Sequence, residues 1–140
     1  MYLHESEIRV RYSETDKMAV VYHGNYAQYL EHGRSEALRD LGITYKDVEA
    51  DGIIMPVVQI SMKYYRPAKY DELLTVKTLM RKMPGYKIDF EYEIINESGE
   101  LLTLGKTMLV FINHESGKPV KAPTYLTEKL LPFFEKPDMG

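Results

Sequence analysis

The chain has 140 residues, 44% of them hydrophobic and 28% charged, with a net charge of -3 and no cysteine. That composition fits one globular core and excludes disulfides, thiol catalysis and cysteine-ligated metal. The mild acidity, without a long basic run, gives no basis for binding nucleic acid or an anionic membrane, and no window is apolar and long enough to span a bilayer. The opening residues MYLHESEIRV lack the basic-then-apolar order of a signal peptide. With no cysteine to oxidise, a reducing cytoplasm is the expected location.

In chain order, residues 7–12 alternate charged and apolar side chains, as a first strand does. A loop over residues 13–23 follows. The period then changes: Tyr26, Leu30, Gly33, Ala37 and Leu41 fall on one helical stripe, with Asn25 placed as the N-cap and Gly42 as the residue that closes the helix. Gly in a helix interior costs about 1 kcal/mol against Ala, so Gly33 points to a sheet packed closely on the helix. Thr44 and Asp47 have the spacing of a capping box for a short turn over residues 44–50.

The rest reads as strands. Val58, Ile60, Met62 and Tyr64 alternate with polar residues, and a second strand covers residues 73–83. After a Pro84-Gly85 turn, Tyr86, Ile88, Phe90, Tyr92 and Ile94 form the clearest half-buried strand. A turn at residues 96–99 leads to a last strand over 100–112, a loop, and a short helix over 126–134. Hairpin-length connections imply an antiparallel sheet, so the expected class is α+β, with one long helix against that sheet in a single domain over residues 1–140.

The chemistry is concentrated in residues 11–38, RYSETDKMAVVYHGNYAQYLEHGRSEAL. Asp16 lies in a loop just ahead of a helix, where exposed N–H groups can polarise a carbonyl and a carboxylate can attack it or activate water. This stretch resembles the hot-dog fold acyl-CoA thioesterases typified by 4-hydroxybenzoyl-CoA thioesterase. Their hallmark runs Tyr-x-(Asp/Glu)-Thr-Asp-x-x-Gly-x-Val-Tyr-His-x-Asn-Tyr. Tyr12, Glu14, Thr15, Asp16, Val21, Tyr22, His23, Asn25 and Tyr26 match it, and Ala19 stands where Gly is usual.

The resemblance implies a five-stranded antiparallel sheet wrapped around one central helix, and hydrolysis of an acyl-CoA to free acid and CoA. It makes Asp16 the catalytic carboxylate, as nucleophile or as general base. It gives His23 a part in catalysis, with its backbone N–H polarising the thioester oxygen and amides near His23 and Gly24 holding the oxyanion. Tyr22, Asn25 and Tyr26 would shape the acyl pocket or fix the loop; core packing serves Tyr26 equally well. Lys63, Arg66 and Lys69 suit the phosphates of CoA. No cofactor is implied, since CoA belongs to the substrate. The implied assembly is a homodimer or homotetramer with sites built from two subunits, and acyl-carrier protein is an alternative donor.

Other patterns weigh less. Glu31 and Arg34, three apart, are spaced for a surface ion pair bracing the helix. His23 and His32 lack the i, i+4 spacing of a helical metal site, so no metal is expected. An acyl-thioester dehydratase is the rival enzyme class, but its Gly-His-Phe-Pro-Gly type loop is absent. A non-catalytic acyl-thioester binding module is the third reading.

Overall fold

The computed structural model describes residues 1–135. Strand β1 (Tyr2–Arg9) leads through the loop into helix α1 (Tyr26–Asp40) and a short helix α2 (Tyr45–Ala50). Then come β2 (Ile53–Ile54), β3 (Val57–Tyr64), β4 (Leu73–Met80), β5 (Lys87–Ile95), β6 (Leu101–Val110), β7 (Ile112–Asn113) and helix α3 (Thr124–Phe134). The main sheet has the order β1-β4-β5-β6-β3, antiparallel at every junction, while β2 and β7 pair in a separate two-stranded ribbon.

One face of the sheet buries Leu74, Val76, Met80, Ile88, Phe90, Tyr92, Ile94, Leu102 and Leu109 against Tyr29, Leu30, Ala37 and Leu38 of α1. Each such large side chain contributes about 1.5–3 kcal/mol by leaving water. Gly33 and Gly105 set how closely the helix sits. A methyl on Gly33 would lie 2.6 Å from Thr78 Oγ1 and 2.7 Å from Val76 Cγ1, and one on Gly105 would lie 2.9 Å from Leu30 Cδ1.

The end of α1 follows its sequence signal. Gly42 has a φ of +81°. Its N–H donates to Arg39 O at 2.8 Å and that of Ile43 to Leu38 O at 2.9 Å. These two bonds define a Schellman closure, and Ile43 and Leu38 are both buried. At α2, Thr44 Oγ1 accepts from Asp47 N–H and Asp47 Oδ2 accepts from Thr44 N–H, as the capping box requires.

Several boundaries differ from the pattern. The first strand spans Tyr2–Arg9 rather than residues 7–12. Its inward positions are Tyr2, His4, Ser6 and Ile8, and the two polar ones hide the alternation. Residues Tyr12–Glu14 form a 3₁₀ turn instead. The strand at 73–83 stops at Met80, and the one expected over 100–112 breaks after Val110 so that Ile112 can pair with Ile54. Tyr86 lies outside β5 and is exposed. Helix α3 starts at Thr124, two residues early.

The alternation in β3 does not translate into alternate burial: every residue is exposed except Met62, which is half-buried. β3 is an edge strand, and α1 packs mainly over β1 and β4 at the other side of the sheet. Val57, Val58, Ile60 and Tyr64 are therefore exposed. No helix among the described residues is long and apolar enough to cross a membrane.

Candidate active site

Asp16 opens a tight hairpin. Thr15 pairs with Val21, Asp16 N–H donates to Val20 O at 2.9 Å, and Ala19 N–H donates to Asp16 O at 3.0 Å. The Asp16 side chain completes the turn: Oδ1 accepts from Met18 N–H at 2.8 Å. Its other oxygen, Oδ2, has no hydrogen-bond partner among the described residues. The return arm is pinned from outside by residues 68–70, with Val21 N–H on Ala68 O at 2.8 Å and Tyr70 N–H on Ala19 O at 3.0 Å.

Ala19 takes a φ of +61°. A three-residue hairpin of this kind needs a left-handed residue at that point, which favours glycine. The substitution of Ala for the usual Gly therefore leaves the backbone shape intact and stores about 1 kcal/mol of strain. We expect Ala19→Gly to leave the melting temperature unchanged or slightly raised, because relieved strain offsets the glycine's extra unfolded-state entropy of about 0.4–1 kcal/mol. A thermal melt in which Ala19→Gly costs more than about 1 kcal/mol would contradict this.

Past Val21 the chain enters a 3₁₀ turn, His23–Asn25, that runs directly into α1. Its first closing bond is Asn25 N–H on Tyr22 O at 2.9 Å. The N–H groups of His23 and Gly24 come before that bond and have no helical acceptor. The His23 ring lies tilted on Tyr22, with centroids 4.4 Å apart. Tyr22 also covers Gly24, where a Cβ would meet its ring at 2.7 Å. Asp16, Tyr22, His23 and Gly24 are all exposed.

Asn25 sits at the N-cap position but does not cap with its side chain. Its Nδ2 instead donates to Glu14 O at 2.9 Å, tying the helix start back to the first arm of the loop. Tyr26 is 3% exposed. Its ring makes edge contacts with Tyr29 and Tyr64, and its hydroxyl accepts from Ala68 N–H at 3.1 Å. Burial pushes the Tyr26 phenol above its ordinary range, so it stays neutral and acts as an anchor of the loop. Tyr26→Phe leaves the Ala68 N–H without its partner and should cost about 1–3 kcal/mol, read as a loss of melting temperature.

The motif residue to which the sequence reading gave no role is Glu14. It is 4% exposed and sits among the buried groups. Oε1 accepts from Arg11 N–H at 2.8 Å and from Tyr29 OH at 3.0 Å, and Oε2 faces the Arg11 guanidinium at 3.3 Å. Burial, with the adjacent Glu14 carboxylate, holds the Tyr29 phenol well above its usual range. The i, i+3 spacing of Arg11 and Glu14 was the available signal.

The three phosphate candidates separate in space. Arg66 and Lys69 line one cleft with Ser98 and Glu100, and Arg66 is already paired to Glu100 at 2.9 Å. Lys63 projects from β3 over the Tyr65 ring, 5.3 Å from its centroid, and lines a different cavity on the outer face of the sheet. The expected Glu31–Arg34 surface pair is not formed. Arg34 is 8% exposed and its Nε donates to Tyr45 OH at 3.0 Å, because its position on α1 faces inward. No group of three or more His, Asp or Glu side chains among the described residues is arranged to hold a metal.

Residues 10–130 match the family model described as the thioesterase-like superfamily. The chain belongs to that superfamily. YneP of Bacillus subtilis is 39% identical over 121 residues, which cover 86% of this chain and 88% of YneP. The acyl-CoA thioester hydrolase YbgC of Escherichia coli O157:H7 is 30% identical over 83% of this chain and 87% of its own. A solved DHNA-CoA thioesterase from Staphylococcus aureus superposes with a TM-score of 0.86 at 39% identity, covering 95% of this chain and 89% of that one. The fold is the hot-dog fold, and this thioesterase is a thioester hydrolase.

Proposed function

We propose that this thioesterase hydrolyses an acyl-CoA to the free acid and CoA, with Asp16 Oδ2 as the reacting oxygen. The observation that carries the reading is the division of labour within one carboxylate. Oδ1 accepts from the Met18 amide, which fixes the group, and Oδ2 of this exposed residue has no hydrogen-bond partner among the described residues. The same hairpin, closed at Val21, leads within three residues to the amides of His23 and Gly24, which have no helical acceptor. Those amides hold the negative charge that develops on the thioester oxygen as its carbon is attacked. The C–S bond then breaks, CoA leaves as thiolate and takes a proton from solvent. If Asp16 is the nucleophile, water opens the resulting anhydride; if it is the base, water is the attacking group from the start. Both routes use the ionised carboxylate.

The exposure of Asp16, His23 and Gly24 supports a site closed by a second subunit. The unpaired apolar edge of β3 is the surface that would pair with it. Light scattering should accordingly give about two or four times the 16.3 kDa chain mass. Arg66 and Lys69 are the cations best placed together for CoA phosphates, with Lys63 a separate contact.

DHNA-CoA is the first substrate to try, since a relative 39% identical is named for it. The reading is tested by thiol release from a panel of aromatic and aliphatic CoA esters, with acyl-carrier protein thioesters alongside. CoA esters should be cleaved with an equal yield of free acid. Cleavage confined to acyl-carrier protein thioesters would contradict the assigned donor. Binding without cleavage would make the chain a non-catalytic acyl-thioester binding module.

A further inference from the structure

We propose that Glu14 is a positioning residue for thioester hydrolysis, holding the Asp16 hairpin and the His23–Gly24 amides in one fixed relation; this rests on the assignment of Asp16 above. Glu14 lies two residues before Asp16. Its carboxylate is bound to the helix through Tyr29 OH and to its own strand end through the Arg11 N–H and guanidinium. Tyr29 is fully buried in the core, so it is a fixed reference point. The Glu14 carbonyl faces the other way. It accepts from Tyr22 N–H at 3.0 Å and from Asn25 Nδ2 at 2.9 Å, one on each side of His23 and Gly24.

One residue thus fastens the carboxylate arm to the core with its side chain and clamps the amide arm with its carbonyl. The chemistry needs these two arms at a set separation, since the carboxylate oxygen or its water and the oxyanion donors act on the same carbonyl group. A buried carboxylate is a costly way to hold a loop when an apolar side chain could pack there. What Glu14 adds over packing is direction: Oε1 accepts two hydrogen bonds from two elements, which sets both distance and angle.

The test compares Glu14→Gln and Asn25→Ala with wild type and Asp16→Asn in thiol-release kinetics. Folded state is confirmed for each by circular dichroism at the assay temperature. In Glu14→Gln an amide N–H₂ replaces one oxygen against donors, which loosens the anchor. In Asn25→Ala the side-chain half of the clamp is lost at a half-buried position, while the Tyr22 N–H bond to the Glu14 carbonyl remains. The expected result is a kcat lower by about 10- to 100-fold in each, the scale of a small misplacement of reacting groups, with KM within twofold. The double variant should be no worse than the weaker single one, because both release the same turn. Wild-type kcat in folded Asn25→Ala or Glu14→Gln, beside an inactive Asp16→Asn, overturns this inference alone. A kcat loss that disappears on cooling, as the folded fraction recovers, also overturns it. An active Asp16→Asn would overturn the site assignment on which it rests.

Discussion

Asp16→Asn should lower kcat by about 1000-fold or more while the protein stays folded, because a positioned general base is worth about 10²–10⁴ and a lost nucleophile more. The structure makes this substitution unusually clean. The hairpin depends on Asp16 only through Oδ1 and the Met18 N–H, and an asparagine carbonyl oxygen accepts that bond equally well. The backbone bonds to Val20 and Ala19 do not involve the side chain. The anion at Oδ2 is therefore the one thing removed. A melting temperature within about 2 °C of wild type, together with the loss of turnover, is the expected pair of results. A folded Asp16→Asn that turns over within tenfold of wild type would leave the carboxylate without a role.

Gly33→Ala should destabilise the fold by about 2–3 kcal/mol, the usual scale of overpacking. At this chain length that is roughly 5–10 °C in melting temperature. Two effects compete at this position. Helix propensity alone would make alanine the better residue by about 1 kcal/mol. Against that, the new methyl would sit 2.6 Å from Thr78 Oγ1 and 2.7 Å from Val76 Cγ1. Both are side-chain atoms of β4 on residues no more than 1% exposed, so turning either aside pushes it into other packed atoms. The clash outweighs the propensity. Helix α1 also carries Tyr26 and Tyr29, which locate the loop through Ala68 and Glu14, so a shift of the helix reaches the site. A melt showing Gly33→Ala as stable as wild type would mean that helix and sheet separate at little cost.

The parts of the fold that were legible in the sequence are those whose signals are local. The stripe of α1, its Gly42 closure, the Thr44–Asp47 box and the alternation of β5 each depend on side chains a few residues apart. What escaped depends on distant partners. β1 began early because His4 and Ser6 face inward and break the apolar rhythm. The β2–β7 ribbon has two residues per strand, too few for any period. Arg34 reads as a surface cation by spacing, and only its facing Tyr45 takes it inside.

The candidate site divides in the same way. Asp16, His23 and their neighbours stand out in the sequence because the motif is contiguous, and the fold brings them together in one exposed loop ahead of α1. Glu14 was visible as a letter of that motif but not as its hub, since Tyr29 and Asn25 lie 15 and 11 residues away. Asn25, placed correctly as the residue before the helix, spends its side chain on Glu14 and not on the helix amides. Arg66 and Lys69 were grouped with Lys63 by sequence proximity, and a strand end separates them.

The most direct measurement of the account is release of free thiol from DHNA-CoA by the purified protein at neutral pH, with Asp16→Asn in parallel and the acid product identified by mass. The predicted result is multiple turnovers by wild type, one free acid per thiol, and none above background in the variant. Intact DHNA-CoA and intact CoA esters across the panel after prolonged incubation with wild type, or equal thiol release by both proteins, would contradict it.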